Sequence, residues 1–422
     1  MESELHPLEK ARRRARERGD LRSLITTDFH AAGLRFPEEC YHATWRRWRD
    51  QPGYDGSGRG SQEARELLAA AYRRDGAACE RGDLLLTAGS SISYHLILSV
   101  LARQMTASTP GGRPGVLLPR PGYPLFDGIL AALNIEALWY DCRPETGFVP
   151  DPRELSAVME RAEHSGDRPL ALVLISPNNP AGVCYPADRL RALIAAAQER
   201  DVPVILDAVF SLFRSSDEPQ LHVAPDAPSG TAQPLLIELQ GVSKLCAAPE
   251  LKLGWIRLIG GEPEQRAALA EELDTAHDTY LSLSGFAQAA VGPFVADAAA
   301  WEARRALRAE LGTRRAALTD RLAEIEGLEA HRVTAGIHVP VRLDPVLAAQ
   351  RVGTVDDEVI ATRLLAETGV YLHPGSFYGL DQPRFSGAPW LVMSCLPGLA
   401  EQMEMLSRVA AWLGAGQSPA GY

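Results

Sequence analysis

The sequence has few cysteines for its length, six among 422 residues, and no two of them form a CxxC pair. Scattered thiols of this kind favour reduced cysteines over a disulfide framework or a zinc site. Positive charge is not in excess either, because the formal net charge is −11 at pH 7. That balance provides no general attraction to nucleic acid or to an anionic membrane surface. We therefore expect neither as a partner.

Long apolar runs are also missing. The most apolar stretch, residues 84–101, is interrupted by serine, tyrosine and histidine, so it is not expected to cross a membrane. No N-terminal basic region leads into an apolar run with a cleavage site, so a signal peptide is not expected and the cytoplasm is the predicted location. The composition, 46% hydrophobic and 23% charged, is that of a globular protein long enough for two domains.

The middle of the chain alternates strand and helix patterns. Short apolar runs at 116–119, 170–175, 202–206 and 235–239 predict buried strands, and residues 190–198 have helical periodicity. The run at 170–175 is continuously apolar, which is typical of a parallel strand covered on both faces. Alternation of this kind predicts an α/β domain with a largely parallel sheet.

A polar residue follows each of three predicted strands. Asn179 comes after the strand at 170–175, Asp207 ends the next one, and Lys244 follows the last. Sites in parallel sheets lie beyond the carboxyl ends of the strands. We therefore expect these three residues to line one crevice.

The character of the sequence changes near residue 300. A long charged amphipathic helix is predicted at 301–326, short strands near 337–341 and 370–373, and a last helix near 399–413. Together with the first sixty or so residues, this part predicts a second, smaller α+β domain. The predicted boundaries are 1–60 for an N-terminal segment that joins the small domain, 61–298 for the large domain, and 299–422 for the small C-terminal domain.

Four short motifs occur in order along the chain. They are Gly-Tyr-Pro at Tyr123, Ser-Pro-Asn-Asn-Pro-Ala-Gly around Asn179, Asp-Ala-Val-Phe beginning at Asp207, and Ser-Lys-Leu-Cys-Ala-Ala-Pro-Glu-Leu-Lys-Leu-Gly-Trp, which contains Lys244 and Lys252. Together they resemble the class I/II aminotransferases, enzymes of fold type I that use pyridoxal 5′-phosphate (PLP). The resemblance implies a large domain with a mostly parallel seven-stranded sheet covered by helices.

The resemblance also implies a role for each residue. Lys244 would form the Schiff base with PLP, Asp207 would keep the pyridinium nitrogen protonated, and Asn179 would donate a hydrogen bond to the phenolic oxygen. Tyr123 would stack on the ring. Backbone N–H groups at a helix start bind phosphate well, and serines add donors. The other predicted coenzyme-binding residues are Ser90, Ser91, Ser243, Lys252 and Tyr54.

Taken singly, each residue also suits an ordinary structural role. Asn-Pro and Gly form turns in any protein, a serine commonly caps a helix, and Tyr123 could be a core aromatic. The family forms homodimers, and Tyr54 resembles the tyrosine that reaches the partner subunit's phosphate. Gly33 resembles a glycine that lets backbone approach the substrate, although a turn explains it as well.

The sequence departs from the family pattern at four positions. Lys252 stands where arginine is usual, Phe210 where a tyrosine often donates to the coenzyme, and Gly241 where serine is common. Val392 occupies the position of the arginine that binds the substrate carboxylate. Arg384, eight residues earlier (392 − 384), is a candidate substitute. This pattern indicates an atypical branch of the family.

Three functions remain open on these grounds. The first is an aminotransferase that moves an amino group between an amino acid or related amine and a 2-oxo acid. The second, favoured by Val392 and Phe210, is a PLP enzyme of another reaction class, such as a lyase, decarboxylase, cyclase, racemase or oxidase. The third is a regulator's effector domain, which the intact Lys244, Asp207 and Asn179 disfavour. The fate of the coenzyme separates the first two, since only transamination leaves it as pyridoxamine phosphate.

Overall fold

A computed structural model describes residues 5–51, 53, 55–108, 111–214, 221–225, 234–381, 385 and 387–415. Helices alternate with strands through the first two thirds of this range. The helices are α1 (Pro7–Arg18), α2 (Glu38–Arg49), α3 (Gln62–Arg74), α4 (Ser90–Ser108), α5 (Phe126–Leu133), α6 (Pro152–His164), α7 (Ala187–Gln198), α8 (Val242–Leu245), α9 (Pro263–Asp278), α10 (Gly285–Ala289), α11 (Ala298–Ala323), α12 (Pro345–Val352), α13 (Asp357–Thr368) and α14 (Leu399–Gly414).

The strands form one large sheet and two small ones. They are β1 (Arg22–Ser23), β2 (Leu84–Thr87), β3 (Arg113–Arg120), β4 (Glu136–Asp141), β5 (Asp167–Ile175), β6 (Val204–Asp207), β7 (Leu236–Gly241), β8 (Gly254–Ile259), β9 (Leu328–Ala330), β10 (His338–Leu343), β11 (Val370–Tyr371), β12 (His373–Pro374) and β13 (Trp390–Ser394). The large sheet has seven strands in the order β2-β8-β7-β6-β5-β3-β4. Its strands pair in parallel except β8, which runs antiparallel to both β2 and β7.

Helices cover both faces of the large sheet, and β5 shows why its sequence is continuously apolar. Leu172 and Leu174 belong to the core that also contains side chains of α6 and α7. The alternate residues Ala171 and Val173 belong to the core on the other face, with side chains of α4 and α9. Successive side chains of a strand point to opposite faces, so both sets have to be apolar when both faces are buried.

The C-terminal part of the chain forms a second sheet, β12-β13-β10-β9, with antiparallel pairing. Val339 and Val341 on β10, and Ile337 just before it, join a core that includes the apolar side chains of α11 and α14. The N-terminal segment packs nearby, because β1 pairs in parallel with β11. Side chains alternate along a strand, so the other face of β10 and β13 is turned away from α11 and α14.

The sequence predicted most of these elements. The buried strands, the helix at 190–198, the long helix after residue 300 and the last helix are all confirmed, as is the mostly parallel seven-stranded sheet. Two details were wrong: Lys244 lies on the single helical turn α8 rather than in a loop, and the strand expected at 370–373 is two short strands in different sheets. The domain boundaries stay a prediction.

All six cysteines are free thiols, as expected, and five of them are buried. In the part of the chain that the structure describes, no helix is both long enough and apolar enough to cross a membrane. Within the same residues, no three histidine, cysteine, aspartate or glutamate side chains come together as a metal site.

Candidate active site

The three polar residues that follow β5, β6 and β7 lie at one edge of the large sheet. These strands are neighbours and run parallel, and Ile175 pairs with Asp207 while Asp207 pairs with Leu239. Because the carboxyl ends of neighbouring parallel strands meet at the same edge, the residues that follow them face one crevice. We call this side, formed by the loops after β5, β6 and β7, the sheet wall.

Asp207 is buried at the end of β6 and fully hydrogen-bonded. The hydroxyl of Tyr94, on α4, donates to its Oδ2 at 2.7 Å, and the backbone N–H of Val209 donates to its Oδ1 at 3.0 Å. Burial raises the pKa of Asp207, whereas these two hydrogen bonds lower it. The result is a carboxylate of fixed orientation that can hold a proton on a basic nitrogen facing it.

Asn179 lies in a tight turn that its neighbours hold in place. The side chain of Asn178 accepts a hydrogen bond from the N–H of Ala181 at 3.1 Å, and Gly182 has a φ of +64° that favours glycine. A Cβ at Gly182 would meet the carbonyl oxygen of His338 at 3.0 Å, so the turn packs closely on the start of β10. The Oδ1 atom of Asn179 is buried without a hydrogen-bond partner in the described part of the chain.

Lys244 lies on α8, directly after β7, among aromatic side chains. Its Nζ lies 5.4 Å from the ring centre of Phe29, which itself stacks on Phe213, and Phe213 in turn contacts Phe210. Burial lowers the pKa of Lys244 to about 8. A lysine in this environment has an unusually large neutral fraction near neutral pH, and the neutral amine is the nucleophilic form.

Gln240 joins the loops that carry Asp207 and Lys244. Its Nε2 donates to the carbonyl oxygen of Ala208 and to the hydroxyl of Ser211, both at 2.8 Å, and its Oε1 accepts from the N–H of Gly241 at 3.0 Å. Gln240 is completely buried. This network fixes the end of β6 relative to the start of α8.

A candidate phosphate cradle lies where α4 begins. Ser90 and the exposed Ser91 start the helix after Gly89, whose φ is +114°. The first N–H groups of a helix have no partner within it and carry a partial positive charge. A Cβ at Gly254 would come within 2.8 Å of the Gly89 Cα, so glycine at the start of β8 lets this loop pack against the sheet edge. The exposed Lys252 lies just before β8.

Tyr123 is 43% exposed, so it is no core aromatic. Its loop is held to the C-terminal part of the chain, because the N–H of Gly122 donates to the carbonyl oxygen of Tyr378 at 3.0 Å. An exposed aromatic ring on an anchored loop can stack on a planar ligand.

The sheet wall is faced by the side of β10, β12 and β13 that is turned away from α11 and α14, which we call the opposite wall. Val392 is completely buried there, paired with Pro340 on one neighbouring strand and with His373 on the other. His373 lies between two tyrosines: its Nε2 is 3.0 Å from the Tyr371 hydroxyl, and its Nδ1 is 3.0 Å from the Tyr378 hydroxyl.

For the predicted residues Gly33 and Ser243, the structure gives only backbone conformation and exposure. Gly33 lies exposed at a turn with a φ of +74°, which fits the turn explanation, although its loop also carries Phe29 against Lys244. Ser243 is half-buried on α8. The roles predicted for Tyr54 and Arg384 concern positions outside the described residues.

Sequence reasoning missed several residues that shape the crevice: Tyr94, Gln240, Phe29, Tyr378 and His338. Tyr94 bonds to a residue that is distant along the chain, and Gln240 bonds mainly to backbone groups. No local sequence pattern therefore identifies either residue. His338 had a weak signal, since it is a polar residue in an otherwise apolar predicted strand.

The donor set fits PLP. The site offers a partly neutral lysine amine, a buried carboxylate, the side-chain amide of Asn179, and a helix start that can bind an anion. These are the groups that would bind an aldehyde, a ring nitrogen, a phenolic oxygen and a phosphate.

The fold is fold type I, the fold of the PLP-dependent transferases. The chain belongs to the aminotransferase class I and II family, whose family model matches residues 54–404. The mitochondrial alanine aminotransferase of Saccharomyces cerevisiae is 26% identical over 318 residues, which are 71% of this chain and 52% of that protein. The chain thus spans about half the length of this relative.

Two further comparisons bear on reaction and fold. The S-alkyl-thiohydroximate lyase of Arabidopsis thaliana is 30% identical over 210 residues, 50% of this chain and 41% of that protein. An alanine aminotransferase structure from Pyrococcus furiosus superposes with a TM-score of 0.80, covering 97% of this chain and 96% of that chain at 21% identity. The second likeness supports the fold.

Proposed function

We propose that this protein is an aminotransferase that moves an amino group between an amino acid, or a related amine, and a 2-oxo acid. The observation that carries this proposal is the environment of Lys244. Its amine has a pKa of about 8 and lies on the strand edge that also carries the buried, hydrogen-bonded Asp207. A nucleophilic amine and a fixed carboxylate at the same edge of the sheet are the minimum that PLP chemistry needs from a protein.

Each polar residue of the sheet wall would have a separate role in the reaction. When bound, PLP supplies an electron sink for the bonds at the substrate's Cα. Lys244 would bind the coenzyme covalently and then carry a proton to and from that carbon through its Nζ. Asp207 would hold the proton on the ring nitrogen, oriented by Tyr94, and Asn179 would donate from its side-chain amide to the phenolic oxygen.

The remaining predicted residues would bind and orient the coenzyme. Ser90, Ser91 and the first N–H groups of α4 would hold the phosphate, with Lys252 and Ser243 beside it. Tyr123 would cover one face of the ring. Phe210 has no hydroxyl, so Asn179 would be the main donor to the phenolic oxygen on this wall, and the ring would be more electron-rich than with two donors.

The test is a half-reaction. Purified holoenzyme is mixed with a panel of amino acids and amines without any 2-oxo acid, the coenzyme absorbance is followed, and the released coenzyme is identified by mass. Stoichiometric conversion to pyridoxamine phosphate, reversed by pyruvate or 2-oxoglutarate, would establish transamination and name the donor. Release of product while PLP is recovered unchanged would contradict the proposal.

A lyase or another PLP reaction is the second candidate. Two observations favour it: the Arabidopsis relative is named a lyase, and the buried Val392 offers no charge on the opposite wall. The bond of the substrate that stands perpendicular to the ring is the one that breaks, so a change in how a substrate is gripped can change the reaction. The half-reaction above separates the two candidates.

We further propose a homodimer, on the basis of an exposed apolar patch beside the phosphate cradle. Trp48, Tyr280 and Leu281 are 46%, 58% and 66% exposed. The hydroxyl of Tyr280 lies 3.2 Å from the Nε2 atom of His95, which is about one turn into α4. Large exposed apolar patches mark protein interfaces. Light scattering should give twice the chain mass, and Leu281→Glu should weaken the dimer; a monomeric wild type would contradict this.

The free thiols agree with a reducing compartment, and we propose the cytoplasm as the place of the reaction.

A further inference from the structure

His338 is the one histidine of the opposite wall whose ring has no hydrogen bond in the described part of the chain. It begins β10, where Ile337 and Val339 on either side point into the core with α11 and α14. Side chains alternate along a strand, so the imidazole points the other way, toward the sheet wall. The Lys244 charge is close enough to help lower the pKa of His338.

Both ring nitrogens of His338 are buried without a partner among the described residues, and the residue is only 3% exposed. Leaving a buried polar group unpaired costs about 1–3 kcal/mol, so such a group calls for an explanation. Burial, with smaller contributions from Lys244 and His373, lowers the pKa of His338 to about 3, so the ring is neutral and has one N–H to donate.

No neighbouring side chain among the described residues accepts that N–H. His373 is already occupied by Tyr371 and Tyr378, and the ring centre of Tyr378 is 6.3 Å from that of His338. Ser394, the residue paired with His338, uses its hydroxyl to accept from the N–H of Leu396. Val392, the next inward side chain on that strand, has no polar atoms.

We propose that His338 recognises the substrate's carboxylate by donating its N–H to a carboxylate oxygen, and that it thereby selects amino acids over amines. This assignment rests on the proposed function, which brings an amino acid into the crevice. A half turn of the ring about Cβ–Cγ keeps its volume and exchanges ring carbons for nitrogens, so either edge of the ring can carry the donor without repacking. His338 is then a specificity-determining residue.

The test compares paired donors that differ only in the carboxylate: L-alanine with ethylamine, and L-phenylalanine with 2-phenylethylamine. Half-reaction kinetics are measured for wild type, His338→Phe, and His338→Asn, which keeps an N–H donor. In His338→Phe the KM for the amino acids should rise roughly 10- to 100-fold, as expected when a hydrogen bond to a charged group is lost. The KM for the amines should not change, and His338→Asn should recover part of the loss.

Calorimetry with propionate and 3-phenylpropionate, which cannot react, provides a readout that does not depend on turnover. Their dissociation constants should rise by a similar factor in His338→Phe. The matched control is His331→Phe, because His331 is half-buried, has a buried Nε2 without a partner among the described residues, and packs against Phe148. This control should bind both carboxylates as wild type does, and the melting temperature and coenzyme absorbance confirm that each variant is folded and loaded.

Equal losses for amino acids and amines in His338→Phe, or no loss for either, would overturn the assignment. Unchanged carboxylate binding by calorimetry would do the same. If wild type converts no donor at all, the proposed aminotransferase function fails, while the calorimetric comparison still decides the role of His338.

Discussion

The two walls of the crevice satisfy their polar groups in different ways. On the sheet wall, Asp207 accepts hydrogen bonds from Tyr94 and Val209, so it is held rigid before any ligand arrives. On the opposite wall, His338 has no partner among the described residues, and Val392 is apolar. The sheet wall is thus preorganised for chemistry common to many substrates. The opposite wall, by contrast, is completed by the particular substrate that enters.

The largest effect that would sharpen this contrast is expected from Lys244→Ala on the sheet wall. Turnover should fall by at least about 10⁴-fold, because proton transfer alone contributes up to that factor and covalent binding of PLP is lost as well. Steady-state kinetics with the donor found in the half-reaction panel measures this. Lys244→Arg keeps the positive charge and should be just as inactive; full activity in either variant would exclude Lys244 from the reaction.

The next effect in size is expected from Asp207→Asn. An amide cannot hold a proton on the ring nitrogen, so kcat/KM should fall by roughly 10²- to 10³-fold, as when one preorganised electrostatic group is removed from an active site. Tyr94→Phe leaves the carboxylate in place and removes one hydrogen bond, so its loss should be within about tenfold. Equal losses in the two variants would mean that Asp207 acts only by supporting the fold.

The environment of Lys244 predicts a pH dependence for coenzyme binding. Its pKa is about 8 instead of 10.5, so the reactive neutral amine at pH 7 should be roughly 300-fold more abundant than in an ordinary lysine (10.5 − 8 = 2.5 units). The rate of PLP capture by apoenzyme should therefore rise with pH and level off above about 8. Stopped-flow absorbance measures it, and a rate still rising steeply toward pH 10 would contradict the lowered pKa.

The lowered pKa of Lys244 also predicts how the stability of the fold depends on pH. Because the pKa of Lys244 in the folded state lies below its unfolded value, protonation disfavours the fold. The stability of the apoenzyme should increase as pH rises between about 8 and 10.5 relative to that of Lys244→Met, as measured by denaturant unfolding.

The smallest effect is expected from Tyr371→Phe on the opposite wall. The change removes the hydroxyl beside the Nε2 of His373 and should cost about 1 kcal/mol of unfolding free energy, measured by urea denaturation. Activity should remain near that of wild type, because His373 keeps its contact with the Tyr378 hydroxyl. A large loss of kcat would instead assign His373 to the chemistry.

The amino-acid sequence was sufficient to predict the sheet wall in outline. Apolar runs located β5, β6 and β7, and the residue that ends or follows each run is near the crevice because parallel strands share one polarity. The antiparallel β8 and the helical turn that carries Lys244 were not predicted, because neither strand direction nor a four-residue helix leaves a clear pattern in the sequence.

The opposite wall could not be predicted in the same way. A polar residue in a short apolar strand shows that something is unusual at His338, but the strand pattern alone does not show which face it occupies or what pairs with it. Tyr94 is more than a hundred residues from Asp207 in the chain (207 − 94), and only the packing of α4 against the sheet brings their side chains together.

By itself, the sequence determined the fold family and the residue types available to a coenzyme. It also determined the order of the polar residues that end or follow the strands, because periodicity and strand polarity are local properties. Only the tertiary structure decided which of these residues are held by neighbours and which are left open. Burial and hydrogen bonding depend on groups distant along the chain. They lower the pKa of Lys244, fix Asp207 and leave His338 without a partner among the described residues.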